Sequence, residues 1–205
     1  MTEATQPSKR KARAVRVSAP ARLHLGFLDL HGGLGRRFGS LGVSVDAFAT
    51  QVRVEAAAAF DAQGEERDRA AALARRLAAR LGVDPRARVT VAQAIPAHAG
   101  LGSGTQLALA LGAALRRFHG LPLDPADDAL ALERGARSGV GAALFSSGGF
   151  VVDAGRGRDT ALPPVMARFA FPAEWRVLVL HDPAMKGCHG EDEHRAFAAL
   201  PPQIN

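Results

Sequence analysis

The sequence predicts an α+β domain with two layers, in which a sheet packs against helices. The first observation is residues 87–95, which alternate apolar and polar side chains as a half-buried strand does. The second is residues 107–115, which have the apolar composition of a buried helix. Strand-like and helix-like segments alternate along the chain, and 47% of its 205 residues are hydrophobic, which is enough for a substantial core.

Two further helices are predicted on either side of these segments. Residues 65–81 have the pattern of an amphipathic helix, with apolar residues near one face and arginines elsewhere. The apolar residues are Ala71, Leu73, Leu77 and Leu81. Residues 124–134 predict a short helix, because Asp124 is a good N-terminal cap and Pro125 suits the first helical position.

The last third of the chain predicts two strands and the start of a helix. Residues 146–153 indicate a strand that returns after a Gly-Gly turn, and residues 175–181 indicate another. Acidic residues ahead of Phe197 are typical of a helix N-terminus. Residues 186–195 include His189, Glu191, Glu193 and His194. Their spacing matches no zinc motif, so the identity of any metal stays unknown.

A glycine-rich segment joins the strand of residues 87–95 to the helix of residues 107–115. It runs Pro96-Ala-His-Ala-Gly-Leu-Gly-Ser-Gly-Thr-Gln106. Its glycines permit positive φ angles, and Ser103 or Thr105 can cap the helix, so unpaired backbone N–H groups are expected to converge on a bound anion. The spacing is neither the Rossmann nor the Walker pattern. A tight connection without a ligand is the alternative.

Two motifs resemble the GHMP superfamily of galactokinase, homoserine, mevalonate and phosphomevalonate kinases. The first is Ala19-Pro-Ala-Arg-Leu-His-Leu-Gly26, and the second is the glycine-rich segment, in the superfamily's order. The resemblance implies a fold of the ribosomal protein S5 domain 2-like class, with a mixed sheet and a left-handed βαβ unit. It implies an N-terminal domain over residues 15–165, with residues 39–45 among its opening strands. Residues 166–205 would then be the start of a second, truncated domain.

Within the superfamily the chain is most similar to β-ribofuranosylaminobenzene 5′-phosphate synthases. The matching strings are Arg22-Leu-His-Leu-Gly-Phe-Leu-Asp-Leu30 and Gly100-Leu-Gly-Ser-Gly-Thr-Gln106. Kinases more often carry Gly-Leu-Gly-Ser-Ser-Ala in the loop and Ser-Gly-x-Asp further on, where this chain has Ser138-Gly-Val-Gly141. The missing carboxylate at residue 141 disfavours a kinase, although some superfamily kinases lack it.

The resemblance implies a transferase that joins the ribosyl 5-phosphate group of phosphoribosyl pyrophosphate to 4-aminobenzoate or 4-hydroxybenzoate. Carbon dioxide and pyrophosphate leave, and the product feeds the biosynthesis of methanopterin-type cofactors. Mg²⁺ is the expected cofactor, because charge develops on the leaving pyrophosphate. An ATP-dependent small-molecule kinase, which alone would need ATP, is one alternative. An inactive anion-binding fragment is the other.

The resemblance also implies roles for individual residues. Substrate and phosphate binding is expected from Arg22, Pro96, Gly100, Leu101, Gly102, Ser103, Gly104, Thr105, Gln106, Ser138 and Gly139. Catalytic roles are expected for His24, Asp29 and Arg36. Arg22 and His24 lie two residues apart and so share a strand face. Each role has an alternative. Arg22 is then a surface arginine, His24 is a structural histidine, and the charges of Asp29 and Arg36 are solvated in an exposed turn. His98, Glu191 or Glu193 are further candidates for a substrate contact.

The composition limits the kinds of partner that the chain is expected to bind. The net charge is +6, and part of it lies in residues 8–13, so residues 1–14 are expected to form a disordered basic tail. The other arginines are scattered and aromatic residues are few, which argues against nucleic acid. No apolar run reaches the about 18 residues of a membrane span. The single cysteine, Cys188, fits a cytoplasmic protein. A homodimer that acts on small molecules is the remaining expectation.

Overall fold

The computed structural model describes residues 14–33, 35–182, 187 and 191–201. Its strands are β1 (Ala14–Asp29), β2 (Phe38–Ala56), β3 (Asp61–Gly64), β4 (Ala87–Gln93), β5 (Phe150–Asp153) and β6 (Val165–Phe169). Its helices are α1 (Arg67–Leu81), α2 (Ser103–Phe118), α3 (Pro125–Ala131), α4 (Val140–Ser147) and α5 (Glu191–Ala198). The expected basic tail at residues 1–14 lies outside the described residues, except that Ala14 begins β1.

One long strand organises the sheet. The order is β3-β4-β2-β5-β6, and β1 pairs with β2 away from this path. The first part of β2 pairs with β5 and the last part with β4, both antiparallel. In contrast, β3 and β4 are parallel and are joined through α1. The mixed sheet and the α+β class are therefore confirmed, while the hand of the β3-α1-β4 crossover stays a prediction.

The main core lies between the sheet and helices α1 and α2. Val52, Val54, Val89 and Val91 alternate with exposed or half-buried residues on β2 and β4 and point into this core. The helix α2 is buried along most of its length. Truncating a fully buried leucine in such a core costs about 2–5 kcal/mol. The core thus fixes the position of α2, and with it the glycine-rich segment before it.

Most predicted elements are present with shorter bounds, except that α2 (Ser103–Phe118) is longer than the predicted residues 107–115. In α1, Leu73 and Leu77 are buried as expected, but Ala71 and Leu81 are only half-buried. The predicted cap of α3 is confirmed, because the Asp124 side chain accepts a hydrogen bond from the Asp127 N–H. The strand predicted from the pattern of residues 146–153 is β5, preceded by the last turn of α4.

The strand predicted at residues 175–181 is wrong. This segment has no regular secondary structure, and the side chains of Trp175, Leu178 and Leu180 are exposed. An alternating pattern becomes a strand only where another strand offers hydrogen bonds, and none of the described strands pairs with it. The strand β6 begins at residue 165, where the predicted N-terminal domain ends, and it pairs with β5 of that domain. The division into two domains at this residue stays a prediction. Within the described residues, no helix is long and apolar enough to cross a bilayer.

Candidate functional site

The glycine-rich segment ends in an open first turn of α2. Gly100 and Gly102 have φ angles of 73° and 80°, and Gly102 is the N-terminal cap residue. The expectation that Ser103 or Thr105 caps the helix is wrong, because no side chain makes a capping hydrogen bond. A glycine with positive φ turns the chain into the helix without one. Within the described residues, the N–H groups of Ser103 and Gly104 have no hydrogen-bond acceptor.

Arg22 lies directly against this segment, and its expected contact with phosphate stays a prediction. Its backbone N–H donates to the Leu101 carbonyl over 3.1 Å, and its Nη1 donates to the Gly100 carbonyl over 2.7 Å. A Cβ atom on Gly102 would lie 3.0 Å from the Arg22 Cγ, so only glycine leaves room for this side chain. The register of β1 shifts between Pro20 and Ala21, just before Arg22. This bulge re-aims the strand where it meets the segment.

Two arginines that the sequence did not single out lie over the first turn of α2. A Cβ atom on Gly104 would lie 2.5 Å from Arg69 Nη2 and 3.6 Å from Arg134 Nη1. Arg69 forms an ion pair with Glu66 at 3.4 Å. The Arg134 side chain forms no ion pair within the described residues, and its buried Nε has no hydrogen-bond acceptor there. Arg69 comes from α1 and Arg134 follows α3, so only the folded arrangement reveals the pair.

The electrostatics of this site favour an anion. Burial, followed by the neighbouring positive charge of Arg69, holds the pKa of Arg134 below its ordinary value. The N-terminus of α2 adds its own partial positive charge to the guanidinium groups. Cations are unfavourable at such a terminus, whereas an anion there gains charge-assisted hydrogen bonds from N–H and guanidinium donors. Arg22, Arg69 and Arg134 together with the N–H groups of residues 103–104 are called the anion site below.

The first turns of α2 and α4 are locked together. A Cβ atom on Gly141 would lie 3.0 Å from the Thr105 Cγ2. Gln106 is fully buried, and its Nε2 donates to the Gly141 carbonyl over 3.1 Å. In this geometry Gln106 contacts α4 rather than the anion site, and its expected phosphate contact stays a prediction. Leu101 is buried in a core cluster with Ile95 and anchors the segment, while Pro96 is half-buried.

A buried carboxylate that the sequence did not single out holds Ser138 and Gly139. Asp153 is fully buried. It accepts hydrogen bonds from the hydroxyls of Ser40 and Ser138 and from the backbone N–H groups of Ser40, Gly139 and Gly155. The hydroxyls of Ser40 and Ser138 are also 2.6 Å apart. Asp153 therefore joins β2, β5 and the start of α4, and it fixes the residues expected to bind substrate.

The candidate catalytic residues Asp29 and Arg36 support the chain around the β1–β2 turn. The Asp29 carboxylate, which is buried, accepts from the N–H groups of His31 and Gly32 over 3.0 and 2.7 Å. The Arg36 guanidinium donates to the carbonyls of Ala154 and Gly155 over 2.7 and 2.8 Å. These partners lie in the turn and in the loop after β5 rather than at the anion site. Catalytic roles for both residues stay predictions.

The third candidate, His24, lies near α5. Its Nδ1 accepts from the Gly26 N–H over 3.3 Å, and its ring centroid is 4.5 Å from that of Phe27. Phe27 in turn contacts Phe197 of α5 edge to face at 5.6 Å. The expected helix start is confirmed at Glu191, whereas the side chain of Glu193 lies outside what the structure describes. A catalytic role for His24 stays a prediction.

A metal site is not evident among the described residues. Within them, no group of three or more His, Cys, Asp and Glu side chains is placed to hold an ion, and residues 183–186 and 188–190 lie outside. The anion site presents N–H and guanidinium groups, which repel a cation, whereas Mg²⁺ requires oxygen ligands. The expected Mg²⁺ does not fit these residues and stays a prediction.

Residues 68–149, which carry the first turn of α2 and the start of α4, match the family model described as the GHMP kinases N terminal domain. This segment belongs to the GHMP kinases N-terminal domain family. The GHMP match covers Arg69, the glycine-rich segment, Arg134 and the Thr105–Gly141 contact, so the anion site lies within the shared domain apart from Arg22.

The curated relatives of this chain have the same name. The chain is 33% identical over 203 residues to beta-ribofuranosylphenol 5′-phosphate synthase of Methanothermobacter thermautotrophicus, covering 88% of the chain and 62% of that protein. It is 35% identical over 197 residues to the protein of the same name from Archaeoglobus fulgidus, covering 89% of the chain and 62% of the relative. The chain therefore spans about three fifths of the length of these relatives.

Solved GHMP structures share the fold at lower identity. Homoserine kinase from Cytophaga hutchinsonii superimposes with a TM-score of 0.57 at 17% identity, covering 100% of this chain and 64% of that one. Mevalonate kinase from L. major, in complex with R-mevalonate, gives a TM-score of 0.55 at 15% identity, covering 79% and 54%. These likenesses show the GHMP fold alone.

Proposed function

We propose that this chain is the donor-binding part of a β-ribofuranosylphenol 5′-phosphate synthase. The name of the curated relatives and their 33% and 35% identity support the assignment. Since that name describes a ribosylated phenol, it favours 4-hydroxybenzoate over 4-aminobenzoate as the acceptor. The other substrate is phosphoribosyl pyrophosphate. The proposal includes a cytoplasmic enzyme of methanopterin-type cofactor biosynthesis that acts as a homodimer.

The proposed reaction balances without an oxidant or reductant. The ring carbon that bears the carboxylate bonds to the anomeric carbon of the donor. The bond from the anomeric carbon to the pyrophosphate oxygen breaks, and its electron pair leaves with pyrophosphate. The carboxylate then leaves as carbon dioxide, and the electron pair of its carbon–carbon bond restores the aromatic ring. Negative charge thus accumulates on the leaving pyrophosphate in the transition state, so donors aimed at it accelerate the step.

The anion site has the donors that this step needs. The unbonded N–H groups of Ser103 and Gly104 lie at the N-terminus of α2, and the guanidinium groups of Arg69 and Arg134 cover the same turn. Arg22 is held against Gly100 and Gly102. Each charge-assisted hydrogen bond contributes about 1.5–3 kcal/mol. We assign the pyrophosphate group of the donor to these residues.

The observation that carries the choice of a synthase over a kinase is the contact between Thr105 and Gly141. Superfamily kinases often use an aspartate at the position of Gly141 to orient or deprotonate the substrate hydroxyl. Here the Thr105 methyl group already occupies the space next to the Gly141 Cα, at 3.0 Å from a Cβ placed there. A carbon nucleophile that loses carbon dioxide needs no such base, because its aromatic system supplies the electron pair.

The test is incubation of the chain with phosphoribosyl pyrophosphate and carboxyl-labelled 4-hydroxybenzoate. We expect release of labelled carbon dioxide in equal amounts with pyrophosphate. Arg134→Gln should lower the rate by about tenfold or more, since it removes a charge-assisted bond to the leaving group. Arg75→Gln is the matched control, because Arg75 stacks on Phe60 and is not part of the anion site. Phosphorylation of a small alcohol by ATP, without carbon dioxide release, would contradict the proposal. Binding of pyrophosphate without either activity would favour an anion-binding domain.

A further inference from the structure

Two neighbouring cavities share one wall near the end of the β1–β2 hairpin. The shared wall consists of His31, Arg37 and Phe38. On one side is a cavity of about 460 Å³, and on the other a cavity of about 380 Å³. Both volumes fall within the about 300–1,000 Å³ of small-molecule sites. Neither cavity includes a residue of the anion site.

The larger cavity has mainly apolar walls. Leu30 and Phe38 line it from the hairpin, and Phe197 and Leu200 line it from the C-terminal segment. An aromatic chain holds α5 in place, since the Phe27 ring lies 5.5 Å from Phe38 and 5.6 Å from Phe197. The polar exceptions are His31 and two guanidinium groups. Arg37 lies over the Phe38 ring at 5.2 Å, and Arg137 lies over the Phe197 ring at 4.7 Å.

The smaller cavity is basic. Arg37, Arg156 and Arg158 line it, and no acidic side chain does. Within the described residues, none of these arginines forms an ion pair, and Arg36 is already engaged with carbonyl groups of the loop after β5. Reciprocal backbone hydrogen bonds of 2.9 and 2.7 Å tie Arg37 to Arg156, so the two are fixed on adjacent chain segments.

An apolar compartment beside a basic one fits a ligand with an aromatic ring and an anionic group. We propose that this double cavity binds a benzoate-sized aromatic carboxylate, with the ring beside Phe38 and Phe197 and the carboxylate facing Arg37 and Arg156. Arg37 belongs to both cavities and so lies where the ring meets the carboxylate. The role of the double cavity as the acceptor site rests on the proposed function. The binding of an aromatic carboxylate there does not.

The test is calorimetric titration of the chain with 4-hydroxybenzoate, phenol and cyclohexanecarboxylate. We expect 4-hydroxybenzoate to bind at least about tenfold more tightly than phenol, which lacks the carboxylate, because a charge-assisted bond is worth about that factor or more. Cyclohexanecarboxylate lacks the aromatic ring and should also bind more weakly. Equal affinity for all three compounds, or no binding of 4-hydroxybenzoate, would overturn the proposal.

Variants locate the binding. Arg37→Gln should reduce the affinity for 4-hydroxybenzoate by about tenfold or more and leave phenol unchanged. Phe197→Leu keeps an apolar side chain on α5 and should reduce the preference for the aromatic over the saturated ring. Arg75→Gln removes the equivalent stacked arginine over Phe60, at 4.5 Å, and should change nothing. Unchanged binding in Arg37→Gln, with circular dichroism showing an intact fold, also overturns the proposal.

Failure of this inference can be told from failure of the proposed function. Pyrophosphate should stabilise the chain against unfolding. Loss of this stabilisation in Arg134→Gln, but not in Arg37→Gln, reports on the donor site alone. Loss of 4-hydroxybenzoate binding in Arg37→Gln reports on the double cavity alone. If 4-hydroxybenzoate binds as expected but no carbon dioxide is released with the donor, the cavity assignment stands and the synthase assignment falls.

Discussion

The methyl group of Thr105 fills the space beside Gly141. A Cβ atom at residue 141 would lie 3.0 Å from the Thr105 Cγ2, closer than ordinary van der Waals contact. The neighbouring Gln106 reinforces the contact through its hydrogen bond to the Gly141 carbonyl. The residues that distinguish this loop from the kinase loops are therefore coupled to the absence of the kinase carboxylate. They form one packed unit between α2 and α4.

Introducing the kinase carboxylate should destabilise the fold. Gly141→Asp places a Cβ and a carboxylate against Thr105, and we expect a loss of about 1–3 kcal/mol in the free energy of unfolding, as for overpacked cores. Thr105→Ala should relieve the clash, so the double variant should lose less than the sum of the single variants. Urea denaturation of the four proteins measures this coupling. Additive losses would show that the two residues are independent.

Restoring a kinase-type loop should weaken the anion site. Gly104→Ser adds a Cβ atom 2.5 Å from Arg69 Nη2, so the guanidinium must move away from the first turn of α2. We expect about a tenfold loss of pyrophosphate affinity, the value of one charge-assisted bond. Arg69→Ala should cause a similar loss, and the double variant should be no worse than either. A larger loss in the double variant would separate Gly104 from Arg69.

Much of the site could be predicted where the information is local. Gly100 and Gly102 follow a strand pattern and precede a helix pattern, so one short segment is enough to predict the turn and its open N–H groups. Arg22 joined them through the order of two motifs. Arg69 and Arg134 could not be found this way, because their meeting at Gly104 depends on α1 and α3 packing against α2. Nothing in a scattered set of arginines marks which ones will converge.

The errors have physical causes of the same kind. Residues 175–181 alternate like a strand, but no described strand offers them a hydrogen-bonding edge. Ser103 and Thr105 are good capping residues, yet the positive φ of Gly102 turns the chain without their help. Asp29 and Arg36 engage backbone groups of the turn and of the loop after β5, which the sequence did not indicate, and their catalytic roles stay predictions. In each case the placement of backbone groups, which a pattern of side chains does not specify, decided the outcome.

Removing the buried carboxylate of Asp153 should displace the start of α4. Asp153→Asn replaces an acceptor oxygen with an NH₂ group, which cannot accept hydrogen bonds from Gly139 or Gly155. We expect a loss of about 1–3 kcal/mol for each buried donor left unsatisfied. Thermal unfolding measures the loss. Asp159→Asn changes an exposed carboxylate and should leave the unfolding midpoint nearly unchanged. Equal midpoints for the two variants would contradict the role given to Asp153.

Arg134 should stabilise the ligand-bound chain and destabilise the free chain. Burial and the charge of Arg69 lower its pKa, which means that the folded state disfavours the charged guanidinium. Arg134→Met keeps an apolar stem without the charge, so the unfolding midpoint should rise in anion-free buffer. Pyrophosphate at 100 times its Kd adds about 2.7 kcal/mol to the wild-type chain, and most of this should disappear in the variant. Arg75→Met, the control, should show neither change. A lower midpoint in anion-free buffer would show that Arg134 supports the fold rather than the ligand.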